Sequence, residues 1–281
     1  MSKGNTILHI GLMKTGSTFL QTRVFPNLEG IRYFHGSDSF YRSRSFSKGP
    51  LGKVLISNEG FTGSWYKERE LNLNYFDKFT QALDNIREYF NDPKIIVVFR
   101  EPSSFIKSSY KQYLNEGGTA SWEEFIIEND AHLEQFKFSK YIKLLLNKVE
   151  LDNLLILNYD QLRKNPMQFV EEMCTFIFGD YDRSMLQQIK LSEKSNPSVP
   201  DNFESWYIRN NRVNKWLRKK VGFELSFRWK KWGINLNSFI RYILPRIIKK
   251  RKKRDISYLE EYFRQDWSEC LSLIESAKHV Q

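Results

Sequence analysis

Short apolar runs recur along the first part of the chain. They are TILHI (6–10), KVLISN (53–58), KIIVVF (94–99) and NLLILN (153–158). Each run is nearly continuous in apolar residues, which is typical of strands that are buried on both faces of a parallel sheet. The pattern therefore predicts four parallel strands.

Between these runs, the apolar residues take helical spacing. The predicted helices lie at 17–25, 74–90, 103–114 and 138–149. Strands that alternate with helices indicate an open α/β sheet with helices on its faces. After the fourth strand, Asn165 and Pro166 are typical of the N-cap and first position of a helix, which Gly179 then ends.

The last third of the chain differs in charge. Residues 209–254 hold 17 Lys and Arg and one acid, whereas the whole chain has a net charge of +11, so the remainder is mildly acidic. Cations interleaved with aromatic residues favour contact with an anionic membrane surface or a polyanion. The sequence contains no nucleic-acid-binding motif, and nucleic acid is not an expected partner. We expect one domain over 1–281, with a basic helical elaboration at 203–254 and an amphipathic helix at 255–274.

Composition also bears on location. The longest fully apolar run has about five residues, against the roughly twenty that cross a bilayer. No signal-peptide pattern opens the sequence. Cys174 and Cys270 lie far apart without metal-ligand spacing, so we expect two reduced thiols in helices. These features predict a cytoplasmic protein, free or peripheral at a membrane.

The turn after the first strand, GLMKTGST (11–18), carries the first candidate chemistry. Gly11 and Gly16 have the spacing of a Walker A loop, but Ser17 stands where the lysine of that loop would be, and Lys14 lies inside the turn. A glycine-containing turn at a helix start can bind an anion through its backbone N–H groups. The displaced lysine indicates a group other than the transferable phosphate of ATP.

The end of the third predicted strand carries the second set of candidate site residues. KIIVVF runs into Arg100, so no Walker B aspartate ends this strand, and Ser108 follows eight residues later. An arginine offers a bidentate fork to a phosphate. Bound negative charge would then be met by protein cations, and we expect no metal. The alternative is that Arg100 pairs with Glu101 or another acid.

The sequence KTGST after a first strand resembles the phosphosulfate-binding loop of the sulfotransferases that use 3′-phosphoadenosine 5′-phosphosulfate (PAPS). The resemblance covers roughly residues 5–200 and the last helix, and implies a P-loop-like parallel sheet flanked by helices. It implies that Lys14 contacts the bridging oxygen and the moving sulfuryl group. The residues assigned to the 5′-phosphosulfate are Gly11, Lys14, Thr15, Gly16, Ser17 and Thr18.

Further residues follow from the same resemblance. It places Arg100 and Ser108 at the 3′-phosphate, with Lys194 and Asn196 of KSNPSV (194–199) closing over it. Tyr159, at the end of the fourth strand, would lie near the adenine. Phe19 would stand against the base, although a place in the core fits it equally well.

Transfer to a hydroxyl also needs a general base. Glu59, in ISNEGF (56–61), follows the second strand and lies where relatives carry a catalytic histidine or glutamate. His35 is the rival, because a histidine titrates near neutral pH without a special environment. We favour Glu59. His9, on the first strand, is expected to be a packed core residue.

The sequence thus favours a sulfotransferase that moves the sulfuryl group of PAPS to a hydroxyl, on a carbohydrate or glycolipid acceptor. One alternative is a small-molecule kinase that uses ATP and Mg²⁺. Another is a non-catalytic adaptor that binds membrane or polyanion through residues 209–254.

Overall fold

Five parallel strands form one sheet in the computed structural model, which describes residues 5–36, 52–63, 74–127, 133–189, 204–221 and 255–280. The strands are β1 (Thr6–His9), β2 (Arg32–His35), β3 (Val54–Ser57), β4 (Lys94–Phe99) and β5 (Leu154–Asn158), in the order β2-β3-β1-β4-β5. Every neighbouring pair is parallel. The predicted fold class is confirmed.

The number of strands was predicted wrongly. β2 is a short edge strand of four residues that are exposed or only half-buried. It therefore lacks the continuous apolar run that marked the four central strands, whose side chains are almost all buried. An edge strand with one neighbour has no need of that run.

Nine α-helices are present in the described ranges. They are α1 (Ser17–Phe19), α2 (Tyr75–Tyr89), α3 (Pro102–Asn115), α4 (Trp122–Ile127), α5 (Ser139–Lys148), α6 (Tyr159–Lys164), α7 (Pro166–Phe178), α8 (Glu204–Val221) and α9 (Ser257–Val280). The short helices α4 and α6 were not predicted. None of these helices combines the length and apolarity that a membrane crossing requires.

Side-chain caps explain where several helices begin. The Asn74 side chain accepts hydrogen bonds from the backbone of Phe76 and Asp77 at the start of α2. Asn165 accepts from the Gln168 backbone at the start of α7, and Gly179 ends that helix with φ 76°. The predicted boundaries of α7 are therefore confirmed, since each follows from a local capping rule.

The chain divides into two compact units. The first holds Met1–Phe105, Glu134–Ser195 and Glu261–Gln281, and the second holds Ile106–Leu133 and Asn196–Glu260. In the first unit, the buried Asp266 of α9 accepts hydrogen bonds from the Phe138 backbone (2.8 Å) and the Ser139 hydroxyl (2.5 Å). The C-terminal helix thereby caps the start of α5.

The second unit has its own polar contacts. Glu204 of α8 accepts hydrogen bonds from the Tyr110 hydroxyl (2.6 Å) and the Trp122 backbone (3.1 Å). Asn211 donates to the carbonyls of Leu114 and Gly118. These bonds fix the first half of α8 against α3 and α4.

Both cysteines lie in helices of the first unit. Cys174 belongs to α7 and Cys270 to α9, and both are buried and free, as predicted. Burial raises the pKa of the Cys174 thiol to about 12. A thiol with this pKa is inert near neutral pH.

Candidate functional site

The turn that joins β1 to α1 has an unusual backbone. Lys14 has φ 65° and Gly16 has φ 92°, so both lie in the left-handed region. A lysine rarely adopts this conformation, and residues held in it cluster at binding sites. Left-handed residues in a turn form concave nests of N–H groups that bind anions. The turn is therefore suited to hold a phosphate or sulfate group.

Both glycines of the turn are needed for close approach. A Cβ on Gly16 would stand 2.6 Å from the Leu162 side chain and 3.3 Å from the Tyr159 ring. A Cβ on Gly11 would stand 2.7 Å from Ser17 Oγ and 3.0 Å from the His9 ring. Real Cβ atoms essentially never show contacts of 2.6 or 2.7 Å, so either the turn or the contacted side chain would have to shift.

Arg100 reaches this turn from the end of β4. Its Nη1 donates to the carbonyl of Lys14 at 2.9 Å, and its Nε and Nη2 donate to Ser104 Oγ at 2.9 and 2.7 Å. The guanidinium carbon lies 4.7 Å from the centre of the Tyr159 ring. Burial lowers the pKa of Arg100, but an arginine stays charged in proteins. The first turn and the cation that follows β4 therefore meet at one place.

Glu101, which the sequence offered as an alternative partner of Arg100, has another role. The Glu101 carboxylate accepts hydrogen bonds from the Ser103 backbone (2.8 Å), the Ser103 hydroxyl (2.6 Å) and the Ser104 backbone (2.7 Å). A carboxylate at a helix start satisfies N–H groups that have no partner within the helix. Glu101 thus serves the first turn of α3.

Glu59 begins a 3₁₀ turn, Glu59–Phe61, directly after β3. Its side chain is half-buried. Thr62, buried at the end of this turn, has its Oγ1 3.1 Å from the carbonyl of Gly11 and 3.3 Å from that of Glu59. This hydroxyl connects the turn that carries Glu59 to the turn that carries Lys14.

His35 lies farther from the first turn. It ends the edge strand β2, is exposed, and is paired in register with Ser57 of β3. β3 in turn separates β2 from β1. The topology thus brings Glu59 closer to the first turn than His35.

The remaining sequence-predicted residues are spread more widely. Thr15 is buried and donates to the Leu12 carbonyl, whereas Thr18 is exposed. Phe19 and Tyr159 are half-buried and pack against the apolar core, so both side chains contribute to the packing of the fold. Ser108 is half-buried in α3 and belongs to the second unit. Lys194 and Asn196 lie outside the described residues.

Sequence analysis missed Ser57 and Gln21, which form a polar cluster with His9 near the site. Ser57 Oγ lies 2.7 Å from Nδ1 of His9 and accepts a hydrogen bond from Gln21 Nε2 at 3.0 Å. His9 is fully buried, as predicted, but it is part of this polar cluster. The available signal was a histidine and a serine inside two otherwise apolar strands.

The buried histidine predicts an acid-sensitive stability. Burial lowers the pKa of His9 from 6.5 to about 4. The unfolded chain therefore binds a proton between these values that the folded chain does not. Stability is full above pH 6.5 and falls as the pH decreases to 4, by roughly 3 kcal/mol from this group.

We expect His9→Gln to flatten that dependence. Denaturant unfolding of both proteins at several pH values between 4 and 7 measures it, and their difference removes the other titrating groups. Equal slopes in the two proteins would contradict the pKa assignment.

One known protein family matches part of the chain. Residues 55–182 match the family model described as "Sulfotransferase family". The match contains Glu59, Arg100, Ser108 and Tyr159 but begins after the first turn. No curated protein matches the chain.

Three solved structures are similar at 13–15% identity. One is a sulfotransferase from Alicyclobacillus acidocaldarius, with 14% identity, coverage of 82% of this chain and 100% of that chain, and a TM-score of 0.47. The second is a mouse sulfotransferase complexed with PAP, with 15% identity, coverage of 69% of this chain and 66% of that chain, and a TM-score of 0.45. The third is the sulfotransferase domain of the Synechococcus PCC 7002 olefin synthase, with 13% identity, coverage of 80% of this chain and 97% of that chain, and a TM-score of 0.43. With TM-scores below 0.5, these likenesses carry no further conclusion.

Proposed function

We propose that this chain, whose residues 55–182 match a sulfotransferase family model, is a sulfotransferase that takes its sulfuryl group from PAPS and transfers it to a hydroxyl of a carbohydrate or glycolipid. The carrying observation is the hydrogen bond from Arg100 to the carbonyl of Lys14. It joins the two cationic residues that one doubly anionic adenosine nucleotide would need.

The residues around the first turn fit such a nucleotide. Gly11 and Gly16 let the backbone of the turn pack closely on neighbouring side chains, which a Cβ at either position would prevent. Ser17 Oγ is buried and has no hydrogen-bond partner among the described residues. A buried hydroxyl without a partner costs about 1–3 kcal/mol, and an anion held by the turn would supply the missing acceptor.

Each residue then has a separate task. When bound, PAPS supplies the activated sulfuryl group and a phosphate leaving group. Lys14 stabilises the charge that develops on the leaving oxygen, and Arg100 holds a phosphate. Glu59 accepts the proton of the acceptor hydroxyl, which must lie within hydrogen-bond reach of the carboxylate.

A transfer assay with radiolabelled PAPS tests the proposal. We expect label on a member of a panel of glycans and glycolipids and none on simple phenols. Label from [γ-³²P]ATP with Mg²⁺ would instead support a kinase. A calorimetric titration with 3′-phosphoadenosine 5′-phosphate (PAP) that gave no heat would favour an adaptor without nucleotide binding.

Arg100 provides a sharper test of nucleotide binding. We expect Arg100→Ala to weaken PAP binding by about 10- to 100-fold, the value of a charge-assisted hydrogen bond pair. Adenosine 5′-phosphate, which lacks the 3′-phosphate, should lose much less affinity. Calorimetry with both ligands measures the difference, and Arg163→Ala, an exposed arginine of α6, is the matched control.

Equal losses for the two ligands would contradict a 3′-phosphate role. They would show that Arg100 acts through the Lys14 carbonyl on the 5′ side.

A surface of the second unit supports contact with an acceptor on an anionic membrane. On α8, Val213 and Trp216 are exposed, at 44% and 58%. Arg209, one helical turn before Val213, is exposed on the same side. Apolar and cationic side chains on one helix face suit a lipid interface. This face begins the basic segment, residues 209–254.

We expect Trp216→Ala to lower binding to vesicles that contain phosphatidylserine by about threefold or more. Co-sedimentation measures it, with Tyr89→Ala, an exposed aromatic residue of the first unit, as control. Binding to heparin but not to these vesicles would favour a polyanion instead.

A further inference from the structure

Four polar side chains are buried beneath the first turn, between the sheet and the segment that follows the turn. His9 and Ser57 are register partners on β1 and β3, so their side chains lie on one face of the sheet. Gln21 comes from a five-residue π-helical segment, Leu20–Val24, and Ser17 precedes it. All four are at most 9% exposed. π-helical segments occur often at functional sites.

The hydrogen bonds of Ser57 determine which nitrogen of His9 carries the proton. Ser57 Oγ accepts from Gln21 Nε2 and lies 2.7 Å from His9 Nδ1. If Nδ1 donated to Ser57, the hydroxyl hydrogen of Ser57 would be left over. If Ser57 donates to Nδ1, its hydroxyl hydrogen is used as well, and only the hydrogen on Nε2 is left over. His9 is therefore the tautomer with its hydrogen on Nε2.

That Nε2–H has no partner. His9 Nε2 and Ser17 Oγ are both fully buried atoms without a hydrogen bond in the described part of the chain. They lie 3.3 and 2.7 Å from a single point, the place where a Cβ on Gly11 would stand. Both atoms therefore border the backbone of Gly11 in the first turn, and each buried polar atom left without a partner is costly. Their position at the phosphate-binding turn indicates that the bound state satisfies them.

We propose that His9 is a positioning residue for the sulfuryl donor: in the nucleotide-bound state its Nε2–H donates to Ser17 Oγ and directs the Ser17 hydroxyl hydrogen at the 5′-phosphate in the turn. The inference rests on the proposed function. Gln21 and Ser57 hold the ring in the required tautomer, as partners behind a site commonly do. His9 acts through Ser17 and does not contact the donor.

Two substitutions separate this role from a purely structural one. His9→Asn places an amide near the position of Nδ1, so it keeps the contact with Ser57 but loses the Nε2 donor. His9→Gln places its amide near Nε2 and loses the contact with Ser57. We expect His9→Asn to lower kcat/KM and PAP affinity by about tenfold with little change in melting temperature.

His9→Gln should show the opposite pattern, with a larger loss of stability than His9→Asn and a smaller loss of kcat/KM. If His9 only filled the core, the less stable variant would also be the less active one. Greater activity of His9→Asn than of His9→Gln would overturn the proposal.

The tautomer itself can be observed without turnover. In wild-type protein with ¹⁵N-labelled histidine, the ring nitrogen shifts show which nitrogen is protonated, and His9→Gln identifies the His9 signals among the four histidines. We expect an Nε2–H ring whose proton resonance moves when PAP is added. A proton on Nδ1, or unchanged His9 signals at saturating PAP, would refute the proposal while the proposed function stands.

The experiments distinguish a failure of the proposed function from a failure of the role proposed for His9. If wild-type protein gives no calorimetric binding of PAP, the proposed function fails, and the role of His9 fails with it.

Discussion

Removal of the Lys14 amine should reduce the transfer rate by about 100- to 1000-fold, the usual cost of losing one preorganised group that stabilises transition-state charge. In the proposed function, the amine would act on the bridging oxygen of the donor, where charge develops as the sulfuryl group is transferred. PAP lacks the sulfuryl group, so we expect its affinity to change by less than about tenfold.

The backbone conformation at Lys14 determines which substitution is the best test. Lys14 has φ 65°, a conformation that glycine adopts without strain and alanine does not. Lys14→Gly therefore removes the amine without backbone strain, and Lys14→Ala is the companion variant. Single-turnover transfer from labelled PAPS measures the rate, and Lys164→Ala, an exposed lysine of α6, is the control. A rate within about threefold of wild type in Lys14→Gly would reject the role.

The central part of the fold was predictable because its causes are local. β1, β3, β4 and β5 are apolar runs that must be buried on both faces, and Asn165 and Gly179 act through capping rules that involve a few neighbouring residues. β2 was missed because its four residues carry no such pattern. β2 is a strand because its backbone pairs with that of β3, and its own four residues do not encode that pairing.

The candidate site divides in the same way. Lys14, Gly16 and Arg100 are recognisable because each stands at the end of a strand pattern. The contact of Arg100 with the Lys14 carbonyl joins residues 86 positions apart, and no sequence spacing contains that information. The His9–Ser57 pair was invisible for the same reason, since a polar residue in an apolar strand gives no indication of its partner 48 positions away.

Glu59→Gln should lower kcat by at least about 100-fold, the lower limit of general-base catalysis, and leave PAP affinity unchanged. The amide keeps the shape of the side chain but cannot accept a proton. The reason to place the base here is the Thr62 hydroxyl, which ties the turn that carries Glu59 to the Gly11 carbonyl at 3.1 Å.

His35→Gln is both rival and control. His35 is exposed on the edge strand, with β3 between it and β1, so we expect its kcat to stay within about threefold of wild type. Steady-state rates of both variants from pH 5 to 9 make the comparison. A general base is inactive when protonated, so it gives the pH profile an acidic limb along which the rate falls. Only the variant that lacks the true base loses that limb. If His35→Gln lost the limb and Glu59→Gln kept it, the proton would go to the edge strand, and the acceptor would have to bind across β3 instead of beside the turn that holds Lys14.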